Sequence, residues 1–166
     1  MKPSDMVLTP KGLRFNGRLY PCSIGRGGIS TNKREGDGAT PFGTHRIIGM
    51  LYRPDRMARP TDWALPIHPG DLWCDAPDHQ DYNLMVRKPF EASAESLRRA
   101  DPLYDLVILT DWNWPFAQPG RGSAIFIHRW RRPGAPTEGC IALSPDHLLK
   151  IAKSIRYETR LIVPTL

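Results

Sequence analysis

No stretch of this sequence gathers the roughly 18 apolar residues that a membrane-crossing helix needs, so no spanning segment is expected. Met1 to Pro10 has neither the basic start nor the apolar centre of a secretory signal, and the chain as given reads as soluble. Cysteine is scarce, at three in 166 residues. An odd count leaves at least one thiol outside any internal pair, and a chain of this length can hold a core without disulfides. Histidine is scarce as well: none of the five stands at a metal-ligand spacing such as His-x-x-x-His or beside a paired Cys motif, so neither a metal nor another cofactor is expected. Long helical periodicities are missing too, because 17 Pro and 14 Gly punctuate the chain with turns.

What is present suits one domain over residues 1–166. The 23 Lys and Arg exceed the 17 Asp and Glu to give a net charge of +6. The arginines are spread along the chain, which points to a cationic surface and not to a nucleic-acid face. One tight basic-aromatic cluster stands out, Arg129, Trp130, Arg131 and Arg132, beside His128. It reads either as the wall of a substrate groove or as a solvated loop. Cys22 and Cys74 could form a disulfide in an oxidising compartment, but with Tyr20, Ile24, Leu72 and Trp73 nearby they read rather as two buried thiols.

Short alternating runs at Val7 to Phe15 and Arg18 to Cys22, with Asn16-Gly17 between them, predict a meander of hairpins. Six glycines between Gly25 and Gly43 predict a loop with unusual backbone angles. Strand returns at Thr44 to Met50. Arg53 to Pro89 reads as a long excursion with short strands near Trp73 and Leu84 to Val86, and Ser93 to Arg99 as a short helix capped by Ser93. Tyr104 to Leu109 and Ser123 to His128 are two core strands, and the aromatic turn Asp111 to Phe116 between them is a groove edge or a loop folded on the core. Ser144-Pro145-Asp146 opens a helix through about Ile155, before a closing strand over Thr159 to Val163.

The most informative segment is the apolar strand that delivers His128, followed by a polar loop and Pro136-Thr137-Glu138-Gly139-Cys140-Ile141. A thiol nucleophile needs a base in reach and backbone amides for the oxyanion, and Gly139 lets the backbone approach a carbonyl closely. Spacing alone is weak support, since a lone Cys is more often a small buried hydrophobe.

The run from His128 to Leu143 resembles the signature of the L,D-transpeptidase catalytic domain, the YkuD type. Lys33 to Thr44 resembles that family's Thr-Pro-x-Gly segment in a glycine-rich version, and Asp81-Tyr82-Asn83 and Gly122 to Phe126 extend the likeness. The resemblance implies a mainly β fold, a mixed β-roll or barrel-like sheet with one or two short helices. It implies Cys140 as nucleophile, His128 as its base, the Arg129 carbonyl as the group that orients the imidazole, and the Gly139 and Cys140 amides as an oxyanion hole. Thr137 takes the place of the family's Ser. Glu138 stands where His is common, Ala142 where Arg is common and Arg129 where Gly often follows the His, so recognition is expected to differ more than chemistry. Arg129, Arg131 or Arg132 could supply the missing cation.

The function implied is peptidoglycan crosslinking by a monomer that is periplasmic or cell-wall facing in a bacterium, with stem peptides as partners and a lean to first-residue-to-diaminopimelate crosslinks, as in a compact subgroup of the family. Trp73, Tyr82, Asn83, Trp112 and Trp114, with Arg129, are expected to border the groove that ends at Cys140. Hydrolysis of stem peptides would use the same residues, with water replacing the amine acceptor. A non-catalytic cationic binder of cell-wall polymer is the reading from another class, and an inert Cys140 thiol would mark it.

Overall fold

The computed structural model describes residues 2–165. The chain opens as two hairpins, β1 (Met6–Thr9), β2 (Gly12–Phe15) and β3 (Arg18–Tyr20). Asn16 and Gly17 both sit at positive φ, +48° and +72°, the geometry of the tight turn that matches strand twist. β4 (Cys22–Ser23) follows at once, and the glycine-rich loop carries a small parallel pair, β5 (Ile29–Ser30) and β6 (Thr40–Pro41). The long strand β7 (Gly43–Tyr52) comes next, then β8 (Leu65–Pro66), β9 (Asp71–Cys74), β10 (Met85–Arg87) and β11 (Ala94–Ser96). β12 (Leu106–Thr110), β13 (Phe126–Arg129), β14 (Ile141–Leu143), helix α1 (Pro145–Ser154) and β15 (Arg160–Val163) complete the order.

The main sheet runs β3-β2-β1-β15-β7-β12-β13-β14-β4, with β8 added beside β7. It is mixed: β1 pairs β15 and β13 pairs β14 in parallel. The first half of β7 pairs β15 and the second half pairs β12, so one strand carries the sheet around a bend. The two ends of the strand order, β3 and β4, are separated in sequence by Pro21 alone. A sheet whose first and last members are covalent neighbours must curl, and this one is nearly closed and barrel-like.

Side-chain alternation along these strands separates two cores. Ile127, Ile141 and Leu143 point into the larger one, with Met6, Leu8, Leu13, Ile47, Ile108 and Leu161, and it is sealed by Leu148, Ile151 and Ala152 of α1. Ser144 caps that helix, its side chain accepting from His147 N, with Pro145 at the first position and Asp146 in the first turn. Phe126 and Cys140 point the other way, into a second core with Leu51, Ile67, Trp73, Leu97, Tyr104 and Val107.

The excursion after β7 covers that second face. Arg53, 5% exposed, forks onto Asp55 at 2.8 and 2.9 Å and donates to Arg99 O, while Arg56 reaches Ala100 O, Asp101 O and Asp105. These arginines brace loops. The helix expected at Ser93 to Arg99 is instead β11, paired with β9 through Ala94↔Cys74 and Ser96↔Leu72. Only Leu97 of that stretch is fully buried, which is too narrow an apolar stripe to hold a helix, and the free edge of β9 takes the segment. Cys22, Cys74 and Cys140 are all free thiols, Cys74 buried and Cys22 half-buried.

Candidate active site

The parallel ladder of β13 and β14 sets His128 opposite Ala142 and Ile127 opposite Ile141. Cys140, one residue before Ile141, therefore lies beside Phe126, two residues from His128 on the same face. Phe126 N donates to Cys140 Sγ at 3.4 Å, and Sγ donates to Ala124 O at 3.1 Å.

The turn before Cys140 is built against the glycine-rich loop. Gly139 has φ +134°, and a Cβ there would stand 2.7 Å from Ala39 O, so only glycine fits. A Cβ on Gly25 would meet Gly38 O and, at 2.9 Å, the Cα of Gly139. Thr40 Oγ1 accepts from Gly25 N and donates to Gly139 O, both at 2.9 Å, which gives the Thr-Pro segment its part in the site. Thr137 Oγ1 donates to Cys140 O at 2.6 Å and accepts from Gly139 N at 3.1 Å. The Gly139 amide, expected in an oxyanion hole, donates to the Thr137 hydroxyl in this structure.

His128 Nδ1 lies 2.7 Å from Arg129 O. A carbonyl only accepts, so Nδ1 carries the proton of the neutral ring and Nε2 keeps its lone pair. Burial pushes the imidazole down to about 4, against the bond to Arg129 O, which favours the charged form. Burial likewise pushes the Cys140 thiol up to about 12; the Phe126 N–H opposes this and the Glu95 charge adds to it. Both members are neutral at rest. Tyr104 packs edge-on to the imidazole with centroids 5.3 Å apart, and its hydroxyl donates to Glu95 Oε1 at 2.9 Å. Burial raises the Glu95 carboxyl, and Arg99 lies 3.3 Å from the same oxygen.

Cys140 and His128 open on a cavity of about 570 Å³. Its wall carries both signs of charge, Glu35, Asp75 and Glu95 against Arg99 and Arg131, together with Trp130, Tyr104 and Thr137. The basic-aromatic cluster thus supplies Trp130 and Arg131 to the wall, while Arg129 contributes its carbonyl to His128. Glu138 is exposed and pairs with Arg26 at 2.9 Å. Ala142 is fully buried in the β13–β14 ladder, where a larger charged side chain would have no room, and Arg99 and Arg131 are the cations beside the site.

The aromatic groove residues fall elsewhere. Trp73, 5% exposed, packs edge-on to Phe126 in the second core. Tyr82 is buried, donates to Glu35 and accepts from Gly122 N at 2.9 Å. Asn83 is buried between Trp73, Ala124 and the carbonyls of Trp112 and Asn113. Trp112 and Trp114 line a separate hollow of about 380 Å³ with Phe42, His45, Phe116 and Arg121. Turn aromatics close to the motif in sequence are carried past it because the chain reverses at Asn113 before β13 begins. Sequence reasoning missed Glu95, Tyr104, Arg99 and Ala124. The first was assigned to a helix, and Tyr104 is indistinguishable from a core-strand residue without the register. Among the described residues, no three of His, Cys, Asp and Glu are grouped to hold a metal ion.

A family model of the L,D-transpeptidase catalytic domain, YkuD, matches residues 6–163. The chain belongs to that family. An L,D-transpeptidase from Mycobacterium smegmatis of known structure is 14% identical with a TM-score of 0.46, and the match covers 96% of this chain and 57% of that one. The chain thus spans a little over half the length of that L,D-transpeptidase. No curated protein matches the chain. The YkuD match runs from β1 to the last residue of β15, so the hairpins, the excursion and the Cys140 turn all lie inside the family domain.

Proposed function

We propose that this chain is a peptidoglycan L,D-transpeptidase in which Cys140 forms an acyl-enzyme on a donor stem peptide and an amine of a second stem resolves it. The bond from His128 Nδ1 to Arg129 O carries the reading, because it leaves Nε2 unprotonated in the cavity that Cys140 shares. Sγ–H leaves Ala124 O and passes its proton to Nε2 as sulfur bonds to the carbonyl carbon of the L-residue. The oxyanion forms against the Cys140 amide. Collapse breaks the C–N bond, and His128 returns the proton to the departing amine, leaving a thioester. The acceptor amine gives a proton to His128, attacks the thioester, and Sγ departs and is reprotonated. A wall with both signs of charge suits stem peptides, which carry amines and carboxylates together.

First-residue-to-diaminopimelate crosslinks, action by a monomer and a periplasmic or cell-wall-facing location belong to the same proposal. Among the described residues no helix is long and apolar enough to cross a membrane. Intact-mass measurement after incubation with a carbapenem tests the nucleophile: one adduct is expected on the wild type and none on Cys140→Ala. Mass analysis of products from purified stem peptides then separates crosslinking from hydrolysis. Release of free acyl acid with an amine acceptor present in excess would replace the transferase reading with a hydrolase, and an unmodified wild-type thiol would remove both.

A further inference from the structure

Asn83 and Ala124 stand 41 positions apart in the chain and meet behind the nucleophile. Asn83 is 2% exposed, and its amide is used in full. Nδ2 donates to Trp112 O and Asn113 O, and Oδ1 accepts from Trp73 Nε1 and from Ala124 N, all four at 2.9 Å. A carboxamide offers two donors and two acceptor positions, so none is spare. Ala124 has φ +52°, a left-handed conformation that an alanine keeps only when its surroundings impose it. With its N–H fixed on Asn83, the Ala124 carbonyl faces Cys140 and takes the Sγ–H at 3.1 Å. Phe126, whose N–H reaches the same sulfur, is held edge-on by Trp73 with centroids 4.9 Å apart. The carbonyl that takes the S–H therefore traces back to one amide oxygen, which also holds the Trp73 ring against Phe126.

We propose that Asn83 is a positioning residue for the nucleophile, holding Ala124 so that its carbonyl parks the Cys140 S–H in one rotamer beside His128 until substrate displaces it. This rests on the reading of Cys140 as the nucleophile. The parked thiol stays protonated and shielded in the free enzyme, and its first movement on substrate entry is from Ala124 O toward the imidazole. Asn83 acts through Ala124 and Trp73; the cavity wall does not include it.

The test is site-resolved alkylation by iodoacetamide across pH, read by peptide mass spectrometry, with Cys22 and Cys74 as reporters of the fold in the same molecule. In Asn83→Ala, the Cys140 profile is expected to move at least one pH unit lower, about a tenfold gain in rate at a fixed pH below the midpoint, with Cys22 and Cys74 as protected as in the wild type. Asn83→Asp keeps an oxygen for the Ala124 and Trp73 N–H groups but loses at least one donor to the two carbonyls, so its profile should stay within about half a unit of wild type. Crosslinking turnover should drop about tenfold or more in Asn83→Ala with KM unchanged. The proposal is overturned by an Asn83→Ala profile that coincides with wild type, by an Asn83→Asp profile displaced as far as that of Asn83→Ala, or by shifts that appear only when Cys22 and Cys74 lose protection. Alkylation needs no transpeptidation. A wild type that forms no crosslinks while these profiles behave as stated would remove the proposed activity and leave the positioning intact.

Discussion

Replacing His128 with glutamine keeps a planar nitrogen-bearing side chain but removes a titrating ring, and the pH dependence of stability should change in a defined window. In the folded chain burial holds His128 at about 4; in the unfolded chain it returns to about 6.5. As pH falls, the unfolded state therefore takes up the proton first. The stabilisation is fully present above the unfolded value and is lost as pH descends toward the folded one. At about 1.36 kcal/mol per pH unit, the window corresponds to about 3 kcal/mol. Little discount for solvent screening is needed, since His128 is 6% exposed. Urea unfolding followed by circular dichroism at pH 7, 6, 5 and 4 measures it for both proteins. Wild type should lose about 3 kcal/mol more than His128→Gln between the highest and lowest of these. His45 is also buried with a depressed pKa, but it is common to both proteins and cancels. Curves that stay parallel to within about 0.5 kcal/mol, the usual spread for independent sites, would refute the claim that His128 is held neutral by burial.

Five replacements around the site give further checks. Cys140→Ala and His128→Ala should each reduce crosslinking of purified sacculi to background, and the double variant should be hardly worse than the poorer single, because nucleophile and base act in one step. Near-wild-type activity in Cys140→Ala would remove the nucleophile. Arg129→Ala keeps the carbonyl that orients His128 and should leave kcat within about threefold, whereas Arg131→Ala, in the cavity wall, should raise KM by about five- to tenfold, worth roughly 1 kcal/mol of ground-state binding. Equal effects of the two in steady-state assays would count against that division. Gly139→Ala puts a Cβ 2.7 Å from Ala39 O at φ +134° and should cost about 2 kcal/mol or more by thermal unfolding, with carbapenem acylation lost.

The strands around the site were legible because each signal was local: β7, β12, β13 and β15 are apolar runs bounded by turn residues, and α1 announces itself with Ser144-Pro145-Asp146. The pairing of His128 with the Arg129 carbonyl was legible through the family likeness, since the two are adjacent in sequence. Long-range register was not. Glu95 reaches the cavity only because β11 pairs with the free edge of β9, a choice that the Ser93 capping signal argued against. Trp73 and Asn83 carry the right residue types for a groove, but strand alternation turns Trp73 into the second core and closes all four hydrogen-bonding positions of Asn83 inside the protein. A polar residue beside a motif looks the same in sequence whether it touches substrate or braces the backbone; its partners decide.

The parallel ladder between β13 and β14 has a consequence for how such a site can diversify. His128 and Cys140 are spaced by strand register, while the ten residues between β13 and Cys140, 130 to 139, supply Trp130, Arg131, Ala135, Pro136, Thr137 and Glu138 to the cavity wall. Insertions among the first half of that connection would reshape what the cavity admits without altering the separation of sulfur and imidazole. Even doubling its length would add only about 0.6 kcal/mol of closure entropy. The cysteine–histidine geometry and the cavity wall are thus written in separate parts of the backbone, so the wall can be exchanged by loop grafting while the ladder, with the Thr137–Cys140 turn that feeds it, is left untouched.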